Sequence, residues 1–232
     1  MAEENNVSAA ATNGKPGLFL TFEGIDGVGK TTQVNLLAQW IREKQGREVV
    51  TTFEPGDTEL GRAIRALLLN PEHTAAAVSA RAEALLYAAD RAQHVHEVIA
   101  PALNRGAVVI SDRYIDSSLA YQAGGRELSS EQILAMSQLA TGNLWPTRTY
   151  LLDMSVEESH RRVALIRGEQ PDRLEAEKAS FHQRTREAFL TLAAQQPQRF
   201  CVIDASQTIE QIHTQLREDV QKLLPTAVEN EG

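Results

Sequence analysis

Cysteine, basic charge and long apolar runs are scarce in this chain of 232 residues, and each shortage closes a class of function. The single cysteine, Cys201, cannot form an internal disulfide, which suits a reducing compartment. It lies in the apolar run Phe200 to Ile203, so core filling is its expected role. Lys and Arg number 23 against 31 Asp and Glu, and the formal net charge of -8 gives no footprint for a nucleic-acid polymer or an anionic membrane. Any polyanionic ligand should be small and held in a local cationic cleft. No stretch approaches the roughly 18 apolar residues of a spanning helix, and Glu3 and Glu4 stand where a secretory signal would be basic. The expected location is cytoplasmic, with no membrane partner.

What is present is enough apolar material, 42% of the chain, for a sizeable core. Residues 1–16 are small and polar, lack the apolar periodicity that offsets ordering entropy, and read as a disordered tail; 225–232 read alike. A single domain, 17–224, is expected between them. Five short apolar runs read as strands: Leu18 to Phe22, Glu48 to Phe53, Ala107 to Ser111, Thr149 to Asp153 and Phe200 to Asp204. Helical stretches separate them, among them Thr32 to Lys44 and the Ala-rich Ala75 to Ala92. That alternation predicts an α/β fold, a five-stranded parallel sheet with helices on both faces, which binds ligands beyond the carboxyl ends of its strands.

The segment Gly24-Ile25-Asp26-Gly27-Val28-Gly29-Lys30-Thr31 fits Gly, four residues, Gly-Lys-Ser/Thr, and Thr32 continues into the helix. Glycines let the backbone turn and aim its N–H groups inward, an exposed Lys30 adds a cation, and the Thr31 hydroxyl suits Mg²⁺. A strand before and a helix after supply the context of a phosphate-binding loop for a nucleoside triphosphate. Asp112-Arg113-Tyr114 follows the third strand: Asp112 can hold Mg²⁺ through water and Arg113 can grip a second phosphate, against the alternative of a surface ion pair. Glu54-Pro55-Gly56 is a chain reversal beside the same edge. Tyr87 and Arg91 share a helix face, which serves core packing or the reading of a nucleobase. His94 and His96 point to different faces and read as surface histidines, not a metal pair. Arg161, Arg162, Arg167 and Arg173 surround a Gly/Pro break, either a solvated helix end or a cationic lid over 161–173.

Taken together, Phe22 to Thr32, Glu54-Pro55-Gly56, Tyr87 to His94, Asp112-Arg113-Tyr114 and Ala120-Tyr121-Gln122 resemble bacterial thymidylate kinase, over nearly all of the chain from Gly17 to about Leu224. The resemblance implies γ-phosphoryl transfer from ATP to dTMP with Mg²⁺, by a homodimer. It implies that residues 24–32 hold ATP, that Thr31 and Asp112 lie at the metal, and that Arg162 packs on adenine. For dTMP it implies that Asp26 accepts the 3′-hydroxyl, Tyr87 stacks on thymine, Arg91 bonds the base edge, Arg113 binds the phosphate, Tyr121 packs on the sugar, and Gln122 assists. Gly27 leaves the loop without an arginine, so the resemblance assigns the catalytic cation to the lid, with Arg167 the chosen donor beside Lys30 and Arg113. The chain departs from the family pattern at Phe53, where arginine usually precedes Glu-Pro-Gly and contacts the acceptor phosphate. A kinase for another small acceptor and an ATP-binding switch protein are the competing readings. Asp26, Tyr87 and Arg91 weigh against the first, and the arginine-rich lid against the second.

Overall fold

Near-continuous apolar runs make strands that are buried on both faces, and the three central strands of this chain are so buried while the two edge strands are half-exposed. The computed structural model describes residues 16–69, 78–124, 128–167 and 175–224. The expected tails fall outside these residues, Pro16 excepted. Five strands, β1 (Leu18–Glu23), β2 (Val49–Phe53), β3 (Val108–Asp112), β4 (Arg148–Asp153) and β5 (Phe200–Asp204), form one sheet in the order β2-β3-β1-β4-β5. All its pairings are parallel, and Phe22 lies opposite Asp112, which brings the ends of β1 and β3 together.

Helix α1 (Lys30–Gln45) buries Val34, Leu37, Ala38 and Ile41, an i, i+3, i+4, i+7 stripe against the sheet. Each large aliphatic side chain in that stripe contributes about 1.5–3 kcal/mol through burial. The last helix, α9 (Ile209–Leu223), covers the same core with Ile212, Leu216 and Val220, and its start is fixed by a Thr208/Gln211 capping box. The other face carries α2 (Glu59–Leu69), α3 (Ala80–His94) and α4 (Ala100–Asn104), with α3 and α4 joined through a π-helical segment Val95–Ile99. After β3 come α5 (Ile115–Ser118), a second π-helical segment Leu119–Gly124, and α6 (Ser130–Thr141). Residues 161–167 of the expected lid are the C-terminal half of helix α7 (Val156–Arg167), and α8 (Glu175–Gln195) follows; residues 168–174, Arg173 among them, lie outside the described residues. Cys201 is half-buried and packs against the main core, and burial pushes its thiol up.

Candidate active site

The phosphate-binding loop is anchored by its apolar members. Ile25 and Val28 are buried in the core, so the backbone between them is held in place while its N–H groups stay free for a ligand. A Cβ at Gly27 would meet the Ser159 carbonyl oxygen at 2.8 Å and Val163 Cγ2 at 2.7 Å, and φ there is +80°. Helix α7 therefore closes over this position, and Ser159 Oγ also donates to the Asp26 carbonyl. Lys30, expected on an exposed loop, is only 8% exposed: it is the first residue of α1, and its Nζ donates to the carbonyls of Gly24 and Ile25 at 3.0 Å each. Thr31 Oγ1 donates to Asp112 Oδ2 at 2.7 Å, which places a hydroxyl beside a carboxylate.

A cleft of about 730 Å³ opens over this loop, lined by Asp26, Gly27, Gly29, Lys30, Thr31, Thr32 and Asp112 and by Phe53, Glu54, Asp57, Arg65 and Arg113 from the neighbouring edge. A second cleft of about 430 Å³ adjoins it, lined by Tyr87, Arg91, Ser117, Ser118, Tyr121 and Gln122. The two share Asp26, Glu54, Arg65 and Arg113 as a common wall. Of the sequence-predicted site residues, Gly27, Gly29, Lys30, Thr31, Thr32 and Asp112 line the first space, Tyr87, Arg91, Tyr121 and Gln122 the second, Asp26 and Arg113 both, and Gly24, Ile25 and Val28 neither. Arg162 joins neither: its Nε donates to Glu158 Oε1 at 3.2 Å, and Arg161 pairs with the same carboxylate. Arg167 is the last residue of α7.

Arg113 stands at the junction. Its backbone is left-handed, φ 76°, which for a non-glycine residue costs about 1–2 kcal/mol. Nη2 donates to Asp26 Oδ1 at 2.6 Å, Nη1 to Ser117 Oγ at 3.1 Å, and the guanidinium lies 5.1 Å from the centre of the Tyr121 ring. Tyr121 is held edge-on by Phe189 and packs on Phe181. Tyr121 and Gln122 sit in the π-helical segment, whose wider turn departs from the 3.6-residue register and presents both to the second cleft. Partial desolvation against the loop pushes the Asp26 carboxyl up, but the charges of Arg113 and Lys30 outweigh it and hold the group below its usual range.

Arg91 is 2% exposed and almost fully engaged. Nε donates to Glu54 Oε2 at 2.8 Å, and Nη2 to the Tyr114 carbonyl and Ser118 Oγ at 3.0 and 3.1 Å. Only Nη1 carries no bond to the described residues, and the side chain lines the second cleft. The expectation for His94 is overturned: it is 1% exposed, with Nδ1 2.9 Å from Glu54 Oε1 and Nε2 against Thr52 Oγ1. Helix α3 turns that face onto the sheet edge, so Glu54 is a hub joining a cleft-lining arginine to a core histidine.

Three residues that sequence reasoning passed over belong here. Arg65 of α2 reaches both clefts, its guanidinium 5.8 Å from the centre of the Phe53 ring and its Nη1 2.7 Å from the Pro55 carbonyl. Asp57 accepts from Thr52 Oγ1 at the rim of the first cleft. Glu23, last in β1, is fully buried and accepts bonds from Tyr114 and Ser117. Burial, and next the Asp116 charge, push its carboxyl up to about 8 against the pull of Ser117 and Arg113. Asp116 is itself clamped by both terminal nitrogens of Arg199, at 2.6 and 2.7 Å.

A family model described as "Thymidylate kinase" matches residues 22–216. Curated proteins named thymidylate kinase are 59% identical in Bifidobacterium longum subsp. infantis, over 90% of this chain and 88% of that protein, and 51% identical in Clavibacter sepedonicus, over 87% and 93%. A solved thymidylate kinase from Ehrlichia chaffeensis superposes with a TM-score of 0.71 at 31% identity, over 89% of this chain and 99% of that one. With a phosphate-binding loop, an adjoining aromatic and arginine-lined cleft, and a family match across most of its length, the chain belongs to the thymidylate kinase family.

Proposed function

We propose that this chain transfers the γ-phosphoryl group of ATP to dTMP, giving ADP and dTDP, in the cytoplasm. The observation that carries the reading is the common wall of the two clefts, Asp26, Glu54, Arg65 and Arg113, across which a donor phosphate and an acceptor phosphate would face each other. Residues 24–32 hold the triphosphate, with Lys30 turning from loop carbonyls to phosphate oxygens. Tyr87 stacks on thymine, Arg91 Nη1 donates to the base edge, Gln122 assists, Tyr121 packs on the sugar, and Asp26 accepts the 3′-hydroxyl. Arg113, joined by Arg65 where Phe53 replaces a cation, holds the acceptor phosphate so that one of its oxygens attacks the γ-phosphorus while ADP leaves in line. Lys30, Arg113 and Arg167 neutralise charge on the transferring oxygens, and Arg162 is assigned to adenine with the lid closed over 161–173.

The paired hydroxyl and carboxylate of Thr31 and Asp112 suit a hard divalent cation, and among the described residues no cluster of three ligands builds a dedicated protein cage. That fits Mg²⁺, which takes one or two protein oxygens and completes its shell with phosphates and water. When bound it supplies charge neutralisation between the phosphate groups. Exposed Leu60 and Leu67 on α2, Leu85 on α3 and Leu139 on α6 support a homodimer formed through these adjoining helices, a state that light scattering would report. No described helix is long and apolar enough to cross a membrane.

ADP release measured across a panel of nucleoside monophosphates tests the reaction. Turnover greatest with dTMP is expected. A preference for another acceptor would replace the substrate, and ATP hydrolysis indifferent to every acceptor would replace the activity.

A further inference from the structure

Glu23 is fully buried at the carboxyl end of β1, and among the described residues no Lys or Arg side chain is within salt-bridge distance of it. A buried carboxyl group is retained only where hydrogen-bonding partners converge on it. Here they come from one short segment: Tyr114 N at 2.8 Å and Ser117 N at 3.2 Å to Oε1, and Ser117 Oγ at 2.6 Å to Oε2. These residues immediately follow Arg113. The same Ser117 Oγ accepts from Arg113 Nη1, so a relay runs from guanidinium through hydroxyl to the Glu23 carboxyl group. The residue it steers needs steering: the left-handed backbone of Arg113 is fixed on one side by its own N–H to the Phe22 carbonyl at 2.9 Å, and on the other by Tyr114 N on Glu23.

We propose that Glu23 is the positioning residue for Arg113, fixing where the guanidinium is presented to the acceptor phosphate. It acts through the Tyr114 amide, which sets the backbone, and through Ser117, which sets the side chain. The inference rests on the reading of Arg113 as the acceptor-phosphate cation, and the test separates the two.

Calorimetric titration of dTMP and of ATP into wild type, Glu23→Gln, Ser117→Ala, Arg113→Ala and the double variant Glu23→Gln/Arg113→Ala provides it. Glu23→Gln should weaken dTMP about tenfold and ATP less than about twofold, and should add less than about twofold once Arg113 is gone, because coupled residues fail to add. Ser117→Ala cuts the relay at its middle and leaves Glu23 its two backbone donors, so it carries the same test if Glu23→Gln does not fold. Equal weakening of both nucleotides, a Glu23→Gln loss that persists without Arg113, or dTMP binding unchanged in Ser117→Ala would each overturn the positioning role. Unchanged dTMP binding in Arg113→Ala would instead remove the reading beneath it.

Discussion

Arg113 Nη2 and Asp26 Oδ1 lie 2.6 Å apart, and this ion pair joins the end of β3 to the phosphate-binding loop at the boundary between the two clefts. Asp26 is largely exposed, so solvent screens the pair and its contribution to stability is small. Its effect is geometric. It holds the guanidinium at the wall where an acceptor phosphate would arrive, and it leaves the second Asp26 oxygen for another donor.

Asp26→Asn should therefore lower kcat/KM for dTMP by about 10–100-fold, the scale of a lost charged hydrogen bond. If the carboxylate accepts the 3′-hydroxyl, wild type and variant should converge on a substrate that lacks that hydroxyl. An unchanged ratio between dTMP and its 3′-deoxy analogue would exclude that contact.

Lys30→Ala should reduce kcat by about 100-fold or more, as expected for one preorganised electrostatic group. Its burial adds a consequence that an exposed lysine would not have: the carbonyls of Gly24 and Ile25 each lose a donor. A modest drop in Tm should accompany the loss of rate, measurable by calorimetry. Near-normal turnover would sink the phosphate-loop assignment.

The strands were legible because the central ones, under two helical layers, are apolar along most of their length, and the edge strands keep an apolar start between turn and helix signals. Each expected run agrees with an observed strand to within about one residue. The loop, Asp112, Arg113, Tyr121 and Gln122 were legible through motif and resemblance, and they do converge on two adjoining clefts. His94 was not legible, since helical spacing separates faces without saying which face another element covers. Arg65 sits in a helix that carries no motif, and only the fold brings its guanidinium over Phe53 and onto the Pro55 carbonyl. Glu23 ends an apolar strand and precedes the loop, so nothing local distinguishes it from a loop acid. The partners that define it lie 91 and 94 positions away.

The position of Arg65 carries its own prediction. The Arg65 guanidinium lies over the Phe53 ring, and the side chain lines both clefts. Arg65→Ala should raise KM for dTMP by about tenfold, the loss of one charge-assisted hydrogen bond, while the KM for ATP changes less. Titration of both nucleotides checks it. A larger effect on ATP would move Arg65 to the donor side.

Asp90 gives a pH prediction. Burial first, and the Glu54 charge second, push its carboxyl up to about 6, against the Gly56 N–H and the charges of His94 and Arg91. Between its unfolded and folded values the native protein retains a proton that the unfolded chain has released. Stability from this group is therefore present at low pH and lost as pH rises through about 6. Asp90→Asn removes the titration. Relative to the variant, the wild type should lose about 2 kcal/mol between pH 4 and 7, since each tenfold change in proton affinity is worth roughly 1.4 kcal/mol. Parallel denaturation curves across that range would show that Asp90 does not titrate there.

The last prediction concerns the lid and Gly27. Arg167→Ala should lower kcat with little change in dTMP affinity, because a cation that meets charge developing in the transition state contributes little to the ground state. Steady-state kinetics on Arg161→Ala, Arg162→Ala, Arg167→Ala and Arg173→Ala identify the donor, and a kcat loss confined to another of the four would transfer the role. Transplanting the cation to the loop is not open to this protein. At Gly27 a Cβ meets Ser159 O and Val163 Cγ2 at 2.8 and 2.7 Å, and the backbone is left-handed. Gly27→Arg should therefore cost about 1–3 kcal/mol and fail to restore the rate of Arg167→Ala. Rescue in the double variant, with stability unchanged, would mean that α7 does not hold its place over the loop during turnover.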